Sequence, residues 1–83
     1  MSQESIVEQA RGRIAEYFMT SGPLANDLRL VDDLGADSLD LLHIVATLED
    51  DFAIRIDADA LPEMLNVGGA CRVVERLVAA KAV

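Results

Sequence analysis

The sequence contains few aromatic residues, few basic residues and one cysteine. Only 4% of its 83 residues are aromatic although 52% are hydrophobic, so we expect a core of aliphatic side chains. Aromatic and β-branched residues are enriched in strands, and this composition favours packed helices over a sheet. Cys71 has no partner for an internal disulfide, so the fold must hold without a covalent cross-link. Its position near an apolar stripe indicates a small core residue.

Other absences exclude whole classes of protein. No apolar run approaches the roughly 18 residues that a membrane span requires. The N-terminal segment MSQESIVEQARGR is polar and lacks the apolar centre of a signal peptide, so we expect a cytoplasmic protein. No histidine and cysteine cluster suggests zinc, and no Asp-x-Asp-x-Asp-Gly loop suggests calcium, so we predict no metal site. The length is that of one small domain, which we assign to residues 1–83.

Negative charge is present and unevenly placed. The net charge is −8, and residues 27–63 alone hold eleven acids and two bases. Such a one-sided potential argues against nucleic acid and anionic membranes as partners. It favours partners that carry basic patches, although a merely solvated acidic face would show the same composition.

Hydrophobic periodicity predicts an all-α fold, a four-helix bundle with three main helices, one short helix and a long first loop. The first helix should run from about Ser5 to Phe18 and end before Ser-Gly-Pro at 21–23. The loop 21–36 is unusually long for so small a domain. Its apolar residues should pin it to the core: Leu24, Leu28, Leu30, Val31 and Leu34. A short helical turn is expected between Asp57 and Leu65, limited by Pro62.

The second and last helices carry capping signals. Asp37 followed three residues later by Asp40 is close to a capping box, which places the second helix start at Asp37 or Ser38. Asn66 should cap the last helix, where Gly68 and Gly69 are expected to weaken the first turn by roughly 1 kcal/mol each. The second helix has two faces. Its apolar face comprises Leu41, Val45, Leu48 and Phe52, widened by Leu42 and Ala46, and its polar face comprises Asp40, His43, Thr47 and Asp50.

The stretch Leu30-Val-Asp-Asp-Leu-Gly-Ala-Asp-Ser-Leu-Asp40 closely resembles the signature of the acyl carrier protein family. The resemblance continues through Leu48-Glu-Asp-Asp-Phe52 and Ile54-Arg-Ile56, and it covers about residues 28–56 well. It implies that Ser38, flanked by Asp37 and Leu39, is esterified by 4′-phosphopantetheine from coenzyme A. A phosphodiester suits a helix N-terminus, where backbone N–H groups are unpaired and the dipole is positive.

A catalytic role for Ser38 is disfavoured. His43 is the only histidine, and five helical residues place it about 140° around the axis from Ser38. A local Ser-His dyad is therefore not expected, and we predict a carrier rather than an enzyme. His43 stands where the family usually has an acid. Two other positions also depart from the family pattern: Asp57 stands where a proline is common, and Pro62 lies within the short helix. Together with His43 they suggest a specialised carrier.

The resemblance also implies two surfaces. The first would dock basic patches on phosphopantetheinyl transferase and on acyl-transferring enzymes of fatty acid synthesis. Its predicted residues are Asp40, His43, Thr47, Glu49, Asp50, Asp51 and Asp57. The second would hold the acyl chain between the helices of a protein expected to be monomeric. Its predicted residues are Leu39, Leu42, Val45, Ile56, Leu61 and Val67.

Two alternatives stay open on the sequence. A carrier of aminoacyl or polyketide intermediates would use the same serine and arm. An acidic helical interaction module without a prosthetic group would leave Ser38 unmodified.

Overall fold

The computed structural model describes residues 5–20 and 24–81, and the predicted helix stop at 21–23 lies outside these ranges. The described chain contains three α-helices and one 3-10 helix, which confirms the all-α prediction. The elements are α1 (Ile6–Tyr17), α2 (Ser38–Phe52), the 3-10 helix (Ala58–Met64) and α3 (Val67–Lys81). Within the described ranges, no helix is both long and apolar enough to cross a membrane.

Helix α1 begins at an N-cap, where Ser5 Oγ accepts from the N–H of Glu8 at 3.1 Å. It buries Ala10 and Ile14, as the periodicity predicts, and packs against α3 and α2. Burial of aliphatic side chains is the main driving force for this packing. Within the described ranges the buried hydrophobic residues of the core are Ala10, Ile14, Leu24, Leu30, Ala36, Ile44, Leu48, Phe52, Ile56, Ala60, Met64, Val67, Ala70, Cys71, Val73 and Val74.

The loop before α2 is fastened to the start of α3 by backbone hydrogen bonds. The N–H of Leu30 donates to Leu65 O at 3.0 Å, and the N–H of Val67 donates to Leu28 O at 2.9 Å. From α1, Arg11 donates to the carbonyl of Leu24 at 2.8 Å. The predicted pinning of the loop is thus confirmed for Leu24 and Leu30, which are buried, and for the partly buried Leu28 and Leu34. It is wrong for Val31, which is 47% exposed.

Helix α3 begins at the predicted cap, because Asn66 Oδ1 accepts from the N–H of Gly69 at 2.7 Å. The two glycines that follow the cap lie where neighbouring chain approaches closely. A Cβ on Gly68 would lie 2.8 Å from Asn26 Cβ, and one on Gly69 would lie 2.0 Å from Glu63 O. The weakening expected from helix propensity stays a prediction, and the structure adds that the lack of a side chain at both glycines permits the packing of α3 against the loop and the 3-10 helix.

Helix α2 ends at Phe52, and its C-cap Ala53 has a left-handed φ of 52°. Two carbonyls at this end of α2 accept hydrogen bonds from a residue far along the sequence: Lys81 Nζ donates to Phe52 O at 2.7 Å and to Ala53 O at 3.1 Å. A cation at this position also suits the negative end of the helix dipole. The end of α3 therefore fixes the end of α2.

Candidate functional site

The start of α2 is organised by a reciprocal capping box, as predicted. Asp37 Oδ1 accepts from the N–H of Asp40 at 2.8 Å, and Asp40 Oδ2 accepts from the N–H of Asp37 at 3.1 Å. Ser38 is the first helical residue and is exposed. By helix geometry the N–H groups of Ser38 and Leu39 have no intrahelical acceptor. An exposed hydroxyl thus stands beside two unpaired amide donors at the positive end of a helix, which suits an attached phosphate.

The turn before the box is held by its own hydrogen bonds. Gly35 has a φ of 75°, and its N–H donates to Val31 O at 3.1 Å. A left-handed backbone favours glycine, because other residues meet a steric penalty there. Asp33 Oδ2 accepts from the N–H of Arg29 at 2.7 Å. The acidic pair and Leu-Gly of the motif therefore shape the approach to Ser38.

An apolar groove of about 640 Å³ opens beside Ser38, between α2, the 3-10 helix and the preceding loop. Three of the predicted pocket residues line it, namely Leu42, Val45 and Leu61. The lining residues that the sequence did not indicate come from three segments of the chain: Leu30, Leu41, Ile44, Ala58, Pro62, Met64 and Leu65.

Three other predicted pocket residues lie outside the groove lining. Val67 is fully buried in the first turn of α3, and Ile56 is 8% exposed in the core. The N–H of Ile56 donates to Glu49 Oε2 at 2.8 Å, which fixes this segment against α2. Leu39 is 60% exposed at the helix start. The structure therefore assigns Ile56 and Val67 to the hydrophobic core.

The predicted apolar stripe of α2 is confirmed for the buried Leu48 and Phe52 and for the partly buried Leu41 and Val45, but its predicted widening is wrong. Ile44, Leu48 and Phe52 are buried, whereas Leu42 is 61% exposed and Ala46 is exposed. Periodicity alone assigns every apolar residue of a helix face to the interior. It therefore cannot distinguish Leu42, which lies exposed on the rim of the groove, from the buried residues.

Three predicted docking acids already have partners within the chain. Asp40 belongs to the capping box, Glu49 accepts from Ile56, and Asp51 Oδ2 lies 3.0 Å from Arg13 Nε in an ion pair. The remaining acids, Asp50 and Asp57, are exposed and have no side-chain partner within residues 5–20 and 24–81. The predicted docking surface is thus divided between acids that hold the fold and acids that face solvent. Thr47 is half-buried on α2, beside the Asp51 end of the same face.

Sequence reasoning missed Tyr17 as a member of the site. Its hydroxyl donates to Asp40 Oδ1 at 2.9 Å and lies 3.3 Å from His43 Nδ1. The hydrogen bond to Asp40 raises the pKa of Tyr17. The amide of Asp37 and the Tyr17 hydroxyl lower the pKa of Asp40. The only sequence signal was the position of Tyr17 at the end of an amphipathic helix, which predicts burial and not a polar contact.

Two further predictions concern reactive groups. Cys71 is fully buried, and burial raises the pKa of its thiol, in agreement with a core residue. Among the residues that the structure describes, no three His, Cys, Asp or Glu side chains are grouped to hold a metal ion.

Known proteins resemble this chain over most of its length. The family model described as "Phosphopantetheine attachment site" matches residues 9–74. An acyl carrier protein of Prochlorococcus marinus (strain MIT 9515) is 37% identical over 76 residues, which cover 90% of this chain and 95% of that protein. An acyl carrier protein of Thermotoga maritima is 32% identical over 76 residues, which cover 90% of this chain and 94% of that protein. The matched region contains the capping box, the exposed serine and the groove. The chain belongs to the acyl carrier protein family, whose domain is the phosphopantetheine attachment site.

Proposed function

We propose that this chain carries acyl intermediates as thioesters on a 4′-phosphopantetheine arm esterified to Ser38, in fatty acid or related lipid synthesis. The observation that carries the proposal is the exposed Ser38 hydroxyl at the first residue of α2, beside an apolar groove. The residues present fit the arm: unpaired amides at the start of α2 would hold its phosphate, and the groove would hold an aliphatic chain.

The chain's own residues would present the serine and leave its activation to a partner. His43 Nδ1 faces Tyr17, and no hydrogen bond joins His43 to Ser38 in the described chain. In the proposed step, Ser38 Oγ bonds to the phosphorus of the pantetheine phosphate. The diphosphate of coenzyme A breaks, adenosine 3′,5′-bisphosphate leaves, and the serine proton passes to a base of the transferase. The chain would thus act as a carrier and not as a catalyst.

Modification of Ser38 is tested by intact-mass spectrometry after incubation with coenzyme A, magnesium and a phosphopantetheinyl transferase. We expect the wild-type mass to rise by one phosphopantetheine and the Ser38→Ala mass to stay unchanged. Ser5→Ala is the matched control, because Ser5 is also an exposed serine at a helix start. Its mass should rise like that of wild type. No gain with several transferases would contradict the proposal and favour an unmodified interaction module.

The solvent-facing acids would dock partner enzymes through basic patches. Asp50→Lys should raise the KM of a transferase for the carrier about two- to fivefold at low salt, since an exposed pair contributes around 0–1 kcal/mol. Salt should reduce the difference, because exposed charges are screened over about 8–10 Å. Steady-state kinetics at two ionic strengths measure both effects.

Glu75→Lys is the control for this experiment, because it makes the same charge change on the exposed surface of α3. Its KM should stay near wild type. An equal rise for both variants would show that net charge, and not the α2 face, sets docking. Asp40→Lys is unsuitable for this purpose, since it removes one half of the capping box.

The groove supports an acyl cargo over an aminoacyl one, because its lining is almost entirely apolar. A small polar aminoacyl group would gain little from such a surface. Purified loading enzymes discriminate the two: acyl transfer to the modified chain supports the proposal, and aminoacyl transfer alone supports the alternative carrier.

A further inference from the structure

The hydroxyl of Tyr17 connects the last turn of α1 to the first turn of α2. It donates to Asp40 Oδ1 at 2.9 Å, across 23 positions of sequence. The aromatic ring stands edge-on to Phe18, with ring centroids 5.3 Å apart, and is held in place at the helix end. This hydrogen bond therefore ties α1 directly to the first turn of α2.

Asp40 has both carboxylate oxygens engaged. Oδ1 accepts from Tyr17 and Oδ2 accepts from the N–H of Asp37, so the side chain is held from two elements. The N–H of Asp40 in turn donates to Asp37, which closes the ring of bonds around Ser38. A group that fixes Asp40 therefore also fixes the turn that presents the serine.

We propose that Tyr17 is a positioning residue for reactions at Ser38, acting through Asp40. This inference rests on the proposed function. The tyrosine does not touch Ser38. Its hydroxyl orients the carboxylate that closes the capping box, which limits the positions that the serine Oγ samples when a partner enzyme docks. Preorganised geometry of this kind raises the rate of a bound reaction.

The charge of Asp40 is a separate property from its position. Three groups face this carboxylate: Asp37 from the N-cap position before α2, Tyr17 from α1, and His43 from α2. Tyr17→Phe keeps all of these charges and the packed ring, and removes only the hydroxyl. Encounter with a basic partner should therefore be unchanged while the fixed geometry is lost. This separates positioning, which affects the rate in the complex, from docking, which affects KM.

The test compares single-turnover rates of phosphopantetheine transfer at saturating transferase. Tyr17→Phe should lower this rate about three- to tenfold, the value of one modest hydrogen bond. The KM for the carrier, measured separately by steady-state kinetics, should stay unchanged. Thr20→Val is the matched control. It also removes a hydroxyl near the end of α1, but that hydroxyl donates to Ala15 O and does not reach α2. Its rate should stay near wild type.

Two measurements distinguish action through Asp40 from a general loss of structure. In NMR titrations the pKa of Asp40 should rise in Tyr17→Phe, because a hydrogen bond to its ionised form is lost. In a double-mutant cycle, Tyr17→Phe should have no further effect on rate in an Asp40→Ala background.

An unchanged rate in Tyr17→Phe would overturn the inference, and so would fully additive losses in the cycle. Neither result affects the proposed function as long as wild type is modified. A wild-type chain that no transferase modifies would overturn the proposed function instead, and the NMR shift of Asp40 would still report whether the contact exists.

Discussion

Replacing Gly69 with alanine should destabilise the fold by about 1–3 kcal/mol, as overpacking does. Helix propensity alone predicts the opposite sign, a gain of about 1 kcal/mol for alanine within a helix. The structure decides between them, because the added Cβ would lie 2.0 Å from the backbone oxygen of Glu63. Backbone in the 3-10 helix cannot move aside as a flexible side chain can. Urea denaturation followed by circular dichroism measures the change.

Gly12→Ala is the control that isolates propensity. Gly12 lies within α1, is exposed, and has no atom within 4 Å of the position of an added Cβ. This substitution should stabilise the protein by about 0.5–1 kcal/mol. If Gly69→Ala is as stable as Gly12→Ala, then the close approach of α3 to the 3-10 helix is incorrect.

Ile44→Ala should cost about 2–5 kcal/mol, whereas Leu42→Ala should stay within about 0.5 kcal/mol of wild type. Two residues along a helix are about 200° apart, so although both side chains border the groove, they differ in how far they turn towards the core. Ile44 is 3% exposed in the core and Leu42 is 61% exposed at the groove rim. The same denaturation experiment measures both variants.

The comparison tests which face of α2 is buried. The alternative, with Leu42 turned inward as hydrophobic periodicity suggests, requires Leu42→Ala to be the more damaging change. Equal losses would also contradict the structure, since they would mean that both side chains are buried. A small domain has little stability to spare, so Ile44→Ala is expected to be largely unfolded at moderate urea concentrations.

Features that depend on neighbours in sequence were predictable. The capping box at Asp37 and Asp40, the Asn66 cap and the helical class follow from local hydrogen bonding and periodicity, and the structure confirms each. Ser38 at the start of α2 follows in the same way. Its attachment role was implied by a motif spanning the loop and the helix, and it stays a prediction until the mass is measured.

Features that depend on distant segments were not predictable. The contact of Tyr17 with Asp40 joins residues 23 positions apart, and no spacing rule indicates it. Gly69 was predicted only to weaken its own helix turn. Its packing role could not be seen, because the carbonyl of Glu63 that lies against it belongs to another element. Leu42 was predicted to line a pocket, as it does, but also to widen the buried face of α2, because periodicity cannot tell a groove residue from a core residue.

The cap that Lys81 supplies to α2 has a consequence for the order of folding during synthesis. The amine reaches Phe52 O from 29 positions later in the chain. As the polypeptide leaves the ribosome, the carbonyls that end α2 must remain bonded to water until residue 81 has been made and has emerged. The acidic capping box at the other end of the same helix needs no such delay, because both of its partners lie within four residues. Helix α2 is therefore expected to form from its N-terminal end, so the turn bearing Ser38 is ordered early in the life of the nascent chain.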